Sequence, residues 1–186
     1  MISALTFSWE GTFTGPDRIK VGDETLEFKR AVIATGARAA ALPIPGLDQI
    51  EYLTNESVFS LTELPKRLAV IGAGPSSCEM AQAFARFGSK VFLVEAMHGI
   101  LPKEETDASR TVLESLQRDG VTLLCCGKDL TLAKAEPGGV GLQVHSHGNA
   151  YDEILDKVLI SVGRAPNVGG WVSKTQASNT RKKASR

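Results

Sequence analysis

The 186-residue sequence has no excess of charge of either sign. Its 21 Lys and Arg residues balance 21 Asp and Glu residues, so the formal net charge at pH 7 is zero. Proteins that bind nucleic acid or an anionic membrane surface usually carry an excess of basic residues, because both partners are negatively charged. We therefore predict no nucleic-acid partner and no membrane partner.

Cysteine is scarce and long apolar runs are missing. Cys78, Cys125 and Cys126 are an odd number of cysteines without regular spacing, which does not predict a disulfide framework. No apolar run approaches the roughly 18 residues that a membrane-spanning helix needs. The first residues show neither the cationic segment nor the apolar core of a signal peptide. A reducing, cytoplasmic setting is the expectation.

The composition is that of an ordinary globular protein with extra glycine. Hydrophobic residues make up 42% and charged residues 23%, which argues against wholesale disorder. The 18 glycines exceed an average share of about 7%, and such an excess indicates tight turns or close backbone approaches. Before residue 67 the pattern predicts strands at 5–9, 18–21, 25–28 and 31–35 and a helical turn near 56–59.

The middle of the chain alternates strands with helices. An apolar strand at 68–71 precedes a helix that Gly88 ends, and the apolar residues of this helix lie on one stripe. The remaining elements are a strand at 91–94, a helix at 104–119 that Gly120 ends, a strand at 121–124, a hairpin of 130–133 with 141–144, and a strand at 157–162. This order predicts an α/β fold, a Rossmann-like βαβαβ domain with a β-hairpin insertion.

A glycine-rich turn joins the strand at 68–71 to its helix. Residues 72–77, Gly-Ala-Gly-Pro-Ser-Ser, match the dinucleotide fingerprint G-x-G-x-x-G/A with serine at the third small position. Gly72 permits the tight turn, Gly74 lets a pyrophosphate approach the backbone, and Ser77 is small enough for the helix to pack on the strands. The helix N-terminus then offers N–H groups and a positive dipole end to the phosphates. The alternative is a glycine turn without a ligand.

Glu95 ends the second strand of this βαβ unit. It lies 23 positions after Gly72, close to the roughly 20 residues expected of the fingerprint's acid. A carboxylate there accepts hydrogen bonds from the adenosine ribose hydroxyls and repels a 2′-phosphate. No arginine follows in residues 96–98. The sequence therefore favours NAD(H) over NADP(H), the alternative being an ordinary solvated glutamate.

Four separated motifs carry a resemblance to a known family. They are residues 34–38 (ATGAR) with 43–46 (PIPG), residues 63–67 (ELPKR) leading into the Gly72 turn, Glu79 with residues 81–84 (AQAF), and residues 161–167 (SVGRAPN). In order and spacing they resemble the FAD-dependent pyridine nucleotide–disulfide oxidoreductases, and most of all the dihydrolipoamide dehydrogenase and mercuric reductase branch. The resemblance covers roughly residues 10–170.

The resemblance implies a role for each matching residue. Thr35, Gly36 and Ala37 would form a turn near FAD, and Gly163 would end the NAD domain against the nicotinamide half. No catalytic residue and no metal ligand is assigned in this chain. The residues expected to hold NAD(H) are Gly72, Ala73, Gly74, Pro75, Ser76, Ser77, Cys78, Glu79 and Glu95, with Glu79 at the nicotinamide end.

The resemblance also implies a division of the chain. The expected parts are partial FAD-domain strands at 1–45, a connector at 46–66, the NAD-binding Rossmann domain at 67–162, and a return segment toward the FAD domain with a polar tail at 163–186. The family's FAD fingerprint, its Cys-x4-Cys redox pair and its C-terminal interface domain are not in the sequence, so we expect a fragment lacking both ends. Full-length relatives are homodimeric, and most of their dimer surface would be missing.

The cysteines are expected to be structural. Cys78 lies in the first turn of the Rossmann helix, where the helix dipole lowers a thiol pKa, whereas Cys125 and Cys126 are adjacent at a strand end. Burial as small apolar side chains is the expectation for all three. His145 and His147 would share one solvated strand face, and two ligands do not make a structural zinc site.

These observations predict the NAD(H)-binding segment of a flavin-dependent oxidoreductase, in which hydride passes from NADH to FAD and then to a disulfide or metal-ion substrate. The isolated chain is expected to bind NAD(H) weakly or not at all and not to turn over. The alternatives are a non-catalytic nucleotide-binding module, an inactive remnant, or a flavin-independent dehydrogenase, for which no acid–base constellation is found. A flanking reading frame with the FAD fingerprint would indicate an enzyme fragment.

Overall fold

The computed structural model of the protein describes residues 10–40, 43–97 and 99–167. The strand expected at 5–9 and the polar tail after residue 172 lie outside these residues. The chain divides into two compact units, one formed by residues 39–165 and the other by residues 1–38 with 166–186. Within the described ranges, no helix has both the length and the apolar character needed to cross a bilayer.

The smaller unit contains a three-stranded antiparallel sheet. Its strands are β1 (Gly11–Phe13), β2 (Arg18–Val21) and β3 (Glu24–Glu27), in that order across the sheet. Val21 lies opposite Glu24, so Gly22 and Asp23 form the turn between β2 and β3, and Gly22 has a φ of 62°. The strands predicted at 18–21 and 25–28 are confirmed, except that β3 begins and ends one residue earlier than predicted.

The prediction of a strand at residues 31–35 is wrong. These residues have no regular structure, and the next strand, β4, is Ala37–Ala39. The apolar side chains of Val32 and Ile33 are 92% and 51% exposed. A strand needs a neighbour to satisfy its backbone hydrogen bonds, and no described strand pairs with this segment. Apolar composition alone therefore does not make it a strand.

The larger unit is built on a parallel sheet in which β11 (Lys157–Ile160), β5 (Arg67–Ile71), β6 (Lys90–Val94) and β7 (Thr122–Leu124) lie side by side in that order. The predicted strands and helices of this βαβαβ unit are confirmed, and Gly88 and Gly120 follow the two helices with φ of 104° and 87°. The elements in chain order are β5 (Arg67–Ile71), α1 (Pro75–Arg86), β6 (Lys90–Val94), α2 (Thr106–Arg118), β7 (Thr122–Leu124), β8 (Lys128–Lys134), β9 (Val140–Ser146), β10 (Asn149–Leu155) and β11 (Lys157–Ile160).

One face of the parallel sheet is covered by the two helices. Successive strand residues point to opposite faces, and on this face Leu68, Val70 and Leu93 are fully buried. They belong to one apolar cluster with Ala81 of α1 and Leu116 of α2. Fully burying one such aliphatic side chain contributes about 1.5–3 kcal/mol, so these contacts fix both helices on the sheet.

The opposite face is covered by a three-stranded antiparallel sheet of the order β10-β9-β8. Ile71 and Phe92 of the parallel sheet cluster with Leu142 and Leu155 of the antiparallel sheet. The predicted hairpin is therefore confirmed but incomplete, because β10 was not predicted. Only Leu155 of β10 is buried, and Asn149, Asp152 and Glu153 are polar, so its sequence lacks the apolar alternation that marks a half-buried strand.

The segment between β4 and β5 is also part of the larger unit. It contains two single 3-10 turns, Leu47–Gln49 and Val58–Ser60, the second of which overlaps the helical turn predicted near 56–59. Between them, Leu53 forms a parallel bridge with Leu159 of β11. The last described strand, β12 (Arg164–Pro166), pairs with β4 in a two-stranded sheet.

Candidate nucleotide-binding site

The glycine-rich turn lies at the carboxyl end of β5, where β11 and β6 flank that strand. From β5 the chain passes through α1 to β6 on one side, and β11 later pairs with β5 on the other side. The carboxyl end of β5 is therefore a switch point, the place where open α/β sheets bind ligands. Gly72 continues the β5–β6 pairing by donating its N–H to the Val94 carbonyl oxygen over 2.8 Å. A Cβ at position 72 would lie 2.5 Å from the Ser161 carbonyl oxygen, and Gly72 has a φ of +108°. Only glycine fits this turn without strain.

Gly74 is the N-cap of α1 and has open space beside it. A Cβ built on Gly74 meets no heavy atom within 4 Å, so the backbone surface is accessible to a ligand. Pro75 follows as the first helical residue, and the first hydrogen bond of the helix runs from the Cys78 N–H to the Gly74 carbonyl oxygen over 3.1 Å. The N–H groups of Ser76 and Ser77 precede that bond and have no partner within the helix. Their direction and the helix dipole make this terminus suited to an anion.

Ser77 packs α1 against the sheet, as its small size predicts, and adds a hydrogen bond. Its side chain is fully buried, and its Oγ donates to the Ser161 carbonyl oxygen over 3.0 Å. Cys78 is buried as well. Burial and, second, the charge of Glu79 raise the pKa of the Cys78 thiol to about 11. The dipole effect considered for this thiol is therefore outweighed, and Cys78 stays a protonated packing residue.

Glu95 and Gly72 line the same pocket, which has a volume of about 210 Å³. One Glu95 carboxylate oxygen, Oε1, accepts a hydrogen bond from the Met97 N–H over 3.0 Å, which fixes the side chain at the end of β6. The opposite wall includes Ile44, whose neighbours Pro43 and Pro45 also line the pocket. Sequence reasoning did not assign this proline segment to the site, although the family resemblance had singled it out.

A larger depression of about 530 Å³ lies elsewhere on the unit. It is lined by residues 60–66 together with Asp156 and Lys157, which precede β5 and β11. These are the amino ends of the two strands, whereas the glycine-rich turn lies at their carboxyl ends. The larger depression therefore contains none of the predicted cofactor-binding residues.

The residues expected near FAD belong to the smaller unit and are held there by Asn167. The Thr35 Oγ1 donates to the Asn167 carbonyl oxygen over 2.6 Å, and the Asn167 side-chain amide donates to the Thr35 carbonyl oxygen over 3.1 Å. The Asn167 N–H donates to the Gly36 carbonyl oxygen over 3.0 Å. The structure thus brings together two motifs 132 positions apart, which only the resemblance had linked. Ala37 begins β4.

Gly163 lies in the larger unit, three residues after β11. It has a φ of +111°, no heavy atom lies within 4 Å of a Cβ built on it, and its carbonyl oxygen accepts a hydrogen bond from the Ala40 N–H over 3.0 Å. Glu79 is exposed on α1. The cofactor roles given to both residues by the resemblance stay predictions.

Two expectations about cysteine and histidine are wrong. Cys125 and Cys126 are only partly buried, and the Cys125 Sγ lies 2.9 Å from the His147 Nε2. His145 is an exposed residue of β9, whereas His147 lies beyond the end of that strand with a φ of +50°. The two histidines therefore do not share a strand face, because the chain turns between them. Partial burial and, second, the adjacent Cys125 raise the pKa of the Cys126 thiol.

A parallel sheet with a glycine-rich turn at its switch point defines an α/β protein of the Rossmann-like class. The family profile of the pyridine nucleotide-disulphide oxidoreductases matches residues 3–183. The chain belongs to that family, whose members are oxidoreductases that use FAD and a pyridine nucleotide.

Individual relatives agree with this assignment. The chain is 32% identical over 160 residues to a mercuric reductase of Staphylococcus aureus, covering 85% of this chain and 29% of the relative. It is 34% identical over 152 residues to dihydrolipoyl dehydrogenase 3 of Pseudomonas putida, covering 80% and 32%. The chain spans about a third of the length of these relatives.

A solved structure shows the same fold. The Cu(II) complex of the HOCl-induced flavoprotein disulfide reductase RclA from Escherichia coli superposes with a TM-score of 0.73 at 28% sequence identity. The match covers 88% of this chain and 37% of that one. The fold class predicted from the sequence is confirmed.

Proposed function

We propose that this chain is the NAD(H)-binding segment of a flavin-dependent oxidoreductase, in which hydride passes from NADH to FAD. The observation that carries the proposal is the single pocket lined by both Gly72 and Glu95 at the carboxyl ends of two adjacent parallel strands. A dinucleotide needs both features, a backbone turn for its pyrophosphate and a carboxylate for its adenosine ribose.

The residues around the turn fit a bound pyrophosphate. Gly74 leaves its backbone uncovered, so two phosphate groups can approach the start of α1. The N–H group of the exposed Ser76 would donate to a phosphate oxygen, assisted by the helix dipole. No acidic residue lies in the first turn of α1, so nothing in that turn repels the negative charge.

Glu95 supports NAD(H) rather than NADP(H) as the nucleotide. Because Oε1 is fixed by the Met97 N–H, the second oxygen, Oε2, is the acceptor for the ribose hydroxyls. A 2′-phosphate would bring at least one more negative charge against this carboxylate, and none of the described residues that line the pocket is basic. The role of Glu95 is to orient the adenosine half of the nucleotide and to select against the phosphorylated form.

The segment around Thr35 would contribute to the FAD-binding half. Bound FAD supplies the electron acceptor for the hydride, and Thr35, Gly36 and Ala37 would position the backbone beside it. The exposure of Val32 and Ile33 supports this assignment, because adjacent apolar side chains are normally covered in a complete domain. The onward transfer to a disulfide or a metal ion would need residues that this chain does not supply.

The proposal is tested by measuring flavin content, NADH binding and NADH oxidation of the purified 186-residue chain. Weak NADH binding by ligand-observed NMR, with no flavin absorbance and no turnover, is the expected result. A Gly74→Val variant should lose the binding, because its side chain would cover the pyrophosphate surface. The matched Gly138→Val variant has equally open space and likewise no positive φ, but it lies in the turn between β8 and β9 and should retain the binding. Stoichiometric FAD, rapid NADH oxidation, or equal NADH binding by both variants would contradict the proposal.

A further inference from the structure

Three potential metal ligands converge on one side of the larger unit. Cys125 and Cys126 lie directly after β7, and His147 lies in the turn between β9 and β10. The two Sγ atoms and one imidazole nitrogen all lie within 4.8 Å of one another. Among the described residues, no other set of three or more His, Cys, Asp or Glu side chains brings its potential ligand atoms this close together.

We propose that Cys125, Cys126 and His147 form a binding site for a single thiophilic cation of the Zn²⁺ class. The two thiolates and the His147 Nε2 would occupy three positions of a tetrahedron, and water or an external ligand would take the fourth. The site is separate from the nucleotide function proposed above and requires no nucleotide.

The distances suit such an ion with only small side-chain movements. Zn–S bonds of about 2.3 Å and Zn–N bonds of about 2.0–2.1 Å place tetrahedral ligand atoms about 3.5–3.8 Å apart. The three ligand atoms all lie within 4.8 Å of one another, so none is more than about 1.3 Å from such a separation. The 2.9 Å between the Cys125 Sγ and the His147 Nε2 would open to about 3.5 Å, a change of about 0.6 Å, as the ion enters. Rotation about the side-chain bonds is sufficient for this change.

The backbone on both sides of the cluster is held in place. The buried Ser146 donates its Oγ to the Cys125 carbonyl oxygen over 2.6 Å, so the residue before His147 is tied to the first cysteine. The Cys126 N–H donates to the Met97 carbonyl oxygen over 2.9 Å. Cys126 and His147 both have left-handed backbones, with φ of 55° and 50°. Such conformations persist in non-glycine residues only where the surrounding structure imposes them, so the ligand positions are set before an ion binds.

The charge balance favours a dication. Binding releases one proton from each thiol to solvent, and the neutral imidazole donates its electron pair, so a dication with two thiolates forms a complex without net charge. Sulfur and imidazole ligands together select Zn²⁺ and related soft cations over Mg²⁺ or Ca²⁺.

The test is a titration of the reduced, full-length chain with Co²⁺, whose thiolate charge-transfer and tetrahedral d–d absorption report the ligand set. One equivalent of Co²⁺ should give these bands, and one equivalent of Zn²⁺ should remove them. The variants Cys125→Ser, Cys126→Ser and His147→Gln should each weaken binding at least about tenfold. His145→Gln is the matched control, since it replaces a histidine two residues away on the exposed face of β9, and it should bind Co²⁺ like the parent chain.

Three results would overturn the proposal: no charge-transfer band with the parent chain, the same affinity for His147→Gln and His145→Gln, or a stoichiometry other than one. His147 is exposed, so its variant is expected to keep the fold, which circular dichroism checks. The His147/His145 comparison therefore remains decisive even if a cysteine variant is destabilised.

Discussion

The hydroxyl of Ser77 and the carbonyl oxygen of Ser161 form a hydrogen bond of 3.0 Å between the start of α1 and the end of β11. The same carbonyl oxygen limits the space beside Gly72, where a Cβ would lie 2.5 Å from it. Ser161 in turn donates its N–H to the Ile71 carbonyl oxygen over 2.9 Å, which extends the pairing of β11 with β5. Both the first and the third small residue of the fingerprint are thus fitted to one backbone group of the last parallel strand.

Removing the Ser77 hydroxyl should destabilise the larger unit. Ser77→Ala leaves the partly buried Ser161 carbonyl oxygen without this donor, which costs about 1 kcal/mol in the free energy of unfolding. Urea denaturation monitored by circular dichroism measures the change. Ser76→Ala is the control, because Ser76 is the exposed neighbour in the same helical turn. Equal midpoints for the two variants would contradict the role given to the hydrogen bond.

Gly72 and Gly74 should respond differently to alanine. Gly72→Ala places a methyl group against backbone in a left-handed conformation and should lower the free energy of unfolding by about 1–3 kcal/mol. Gly74→Ala has open space and a φ of −75°, so its cost at the N-cap should be about 1 kcal/mol or less. Thermal unfolding of both variants tests the difference. If Gly74→Ala lost more stability than Gly72→Ala, the contact with the Ser161 carbonyl oxygen would not be what requires glycine at position 72.

Glu95 should control the preference between the two nucleotides. Glu95→Gln keeps an oxygen that can accept from the Met97 N–H but removes the negative charge. If the proposed function holds, NADH binding should weaken and the preference for NADH over NADPH should fall by about tenfold. Competition between NADH and NADPH in ligand-observed NMR measures this ratio. Glu79→Gln, an exposed change on α1, should leave the ratio unaltered, and an unaltered ratio for Glu95→Gln would contradict the assignment.

The ion pair of Arg67 and Asp156 should make part of the stability depend on pH. The Arg67 side chain donates to the Asp156 Oδ1 over 2.8 Å, and the Arg67 N–H donates to Oδ2 over 2.8 Å. The side-chain hydrogen bond from Arg67 is the main cause that lowers the pKa of Asp156 below its usual 3.8. A lowered pKa in the folded state means that this stabilisation is complete above pH 3.8 and is lost as the pH falls through the folded-state value.

Asp156→Asn is therefore expected to reduce stability at neutral pH by about 1 kcal/mol or less, since the pair is partly exposed. The difference between parent and variant should shrink in acid, which urea denaturation at pH 7 and at about pH 3 measures. The pair of Arg18 and Glu27 serves for comparison because it is more exposed, so Glu27→Gln should have the smaller effect at pH 7. A constant difference between Asp156→Asn and the parent at both pH values would show that ionisation of Asp156 is not involved.

The parallel sheet and its helices could be predicted because their signals are local. After their first residues, Arg67 and Lys90, β5 and β6 are wholly apolar, which is typical of strands buried on both faces. Gly88 and Gly120 stand where helices end. The fingerprint turn was found for the same reason, since its residue spacing is a property of one short segment. Its fit to Ser161 could not be predicted, because that contact joins positions 84 residues apart.

The failures have physical causes in particular residues. Val32 and Ile33 look like a strand, but strand formation also depends on a partner that composition does not reveal. β10 was overlooked because only its last residue, Leu155, is buried. The cluster of Cys125, Cys126 and His147 depends on two loop conformations with positive φ, and the 22 positions between Cys125 and His147 carry no recognisable ligand spacing.

The strand order β11-β5-β6-β7 has a consequence for synthesis on the ribosome. β5 is made early, but its second neighbour, β11, follows 89 residues later. Until β11 emerges, one side of this largely apolar strand is an unpaired edge, open to pairing with another chain. The nascent protein therefore passes through an aggregation-prone stage that ends only when its last parallel strand is added. An expression system with slow elongation or little chaperone should yield less soluble protein for this reason.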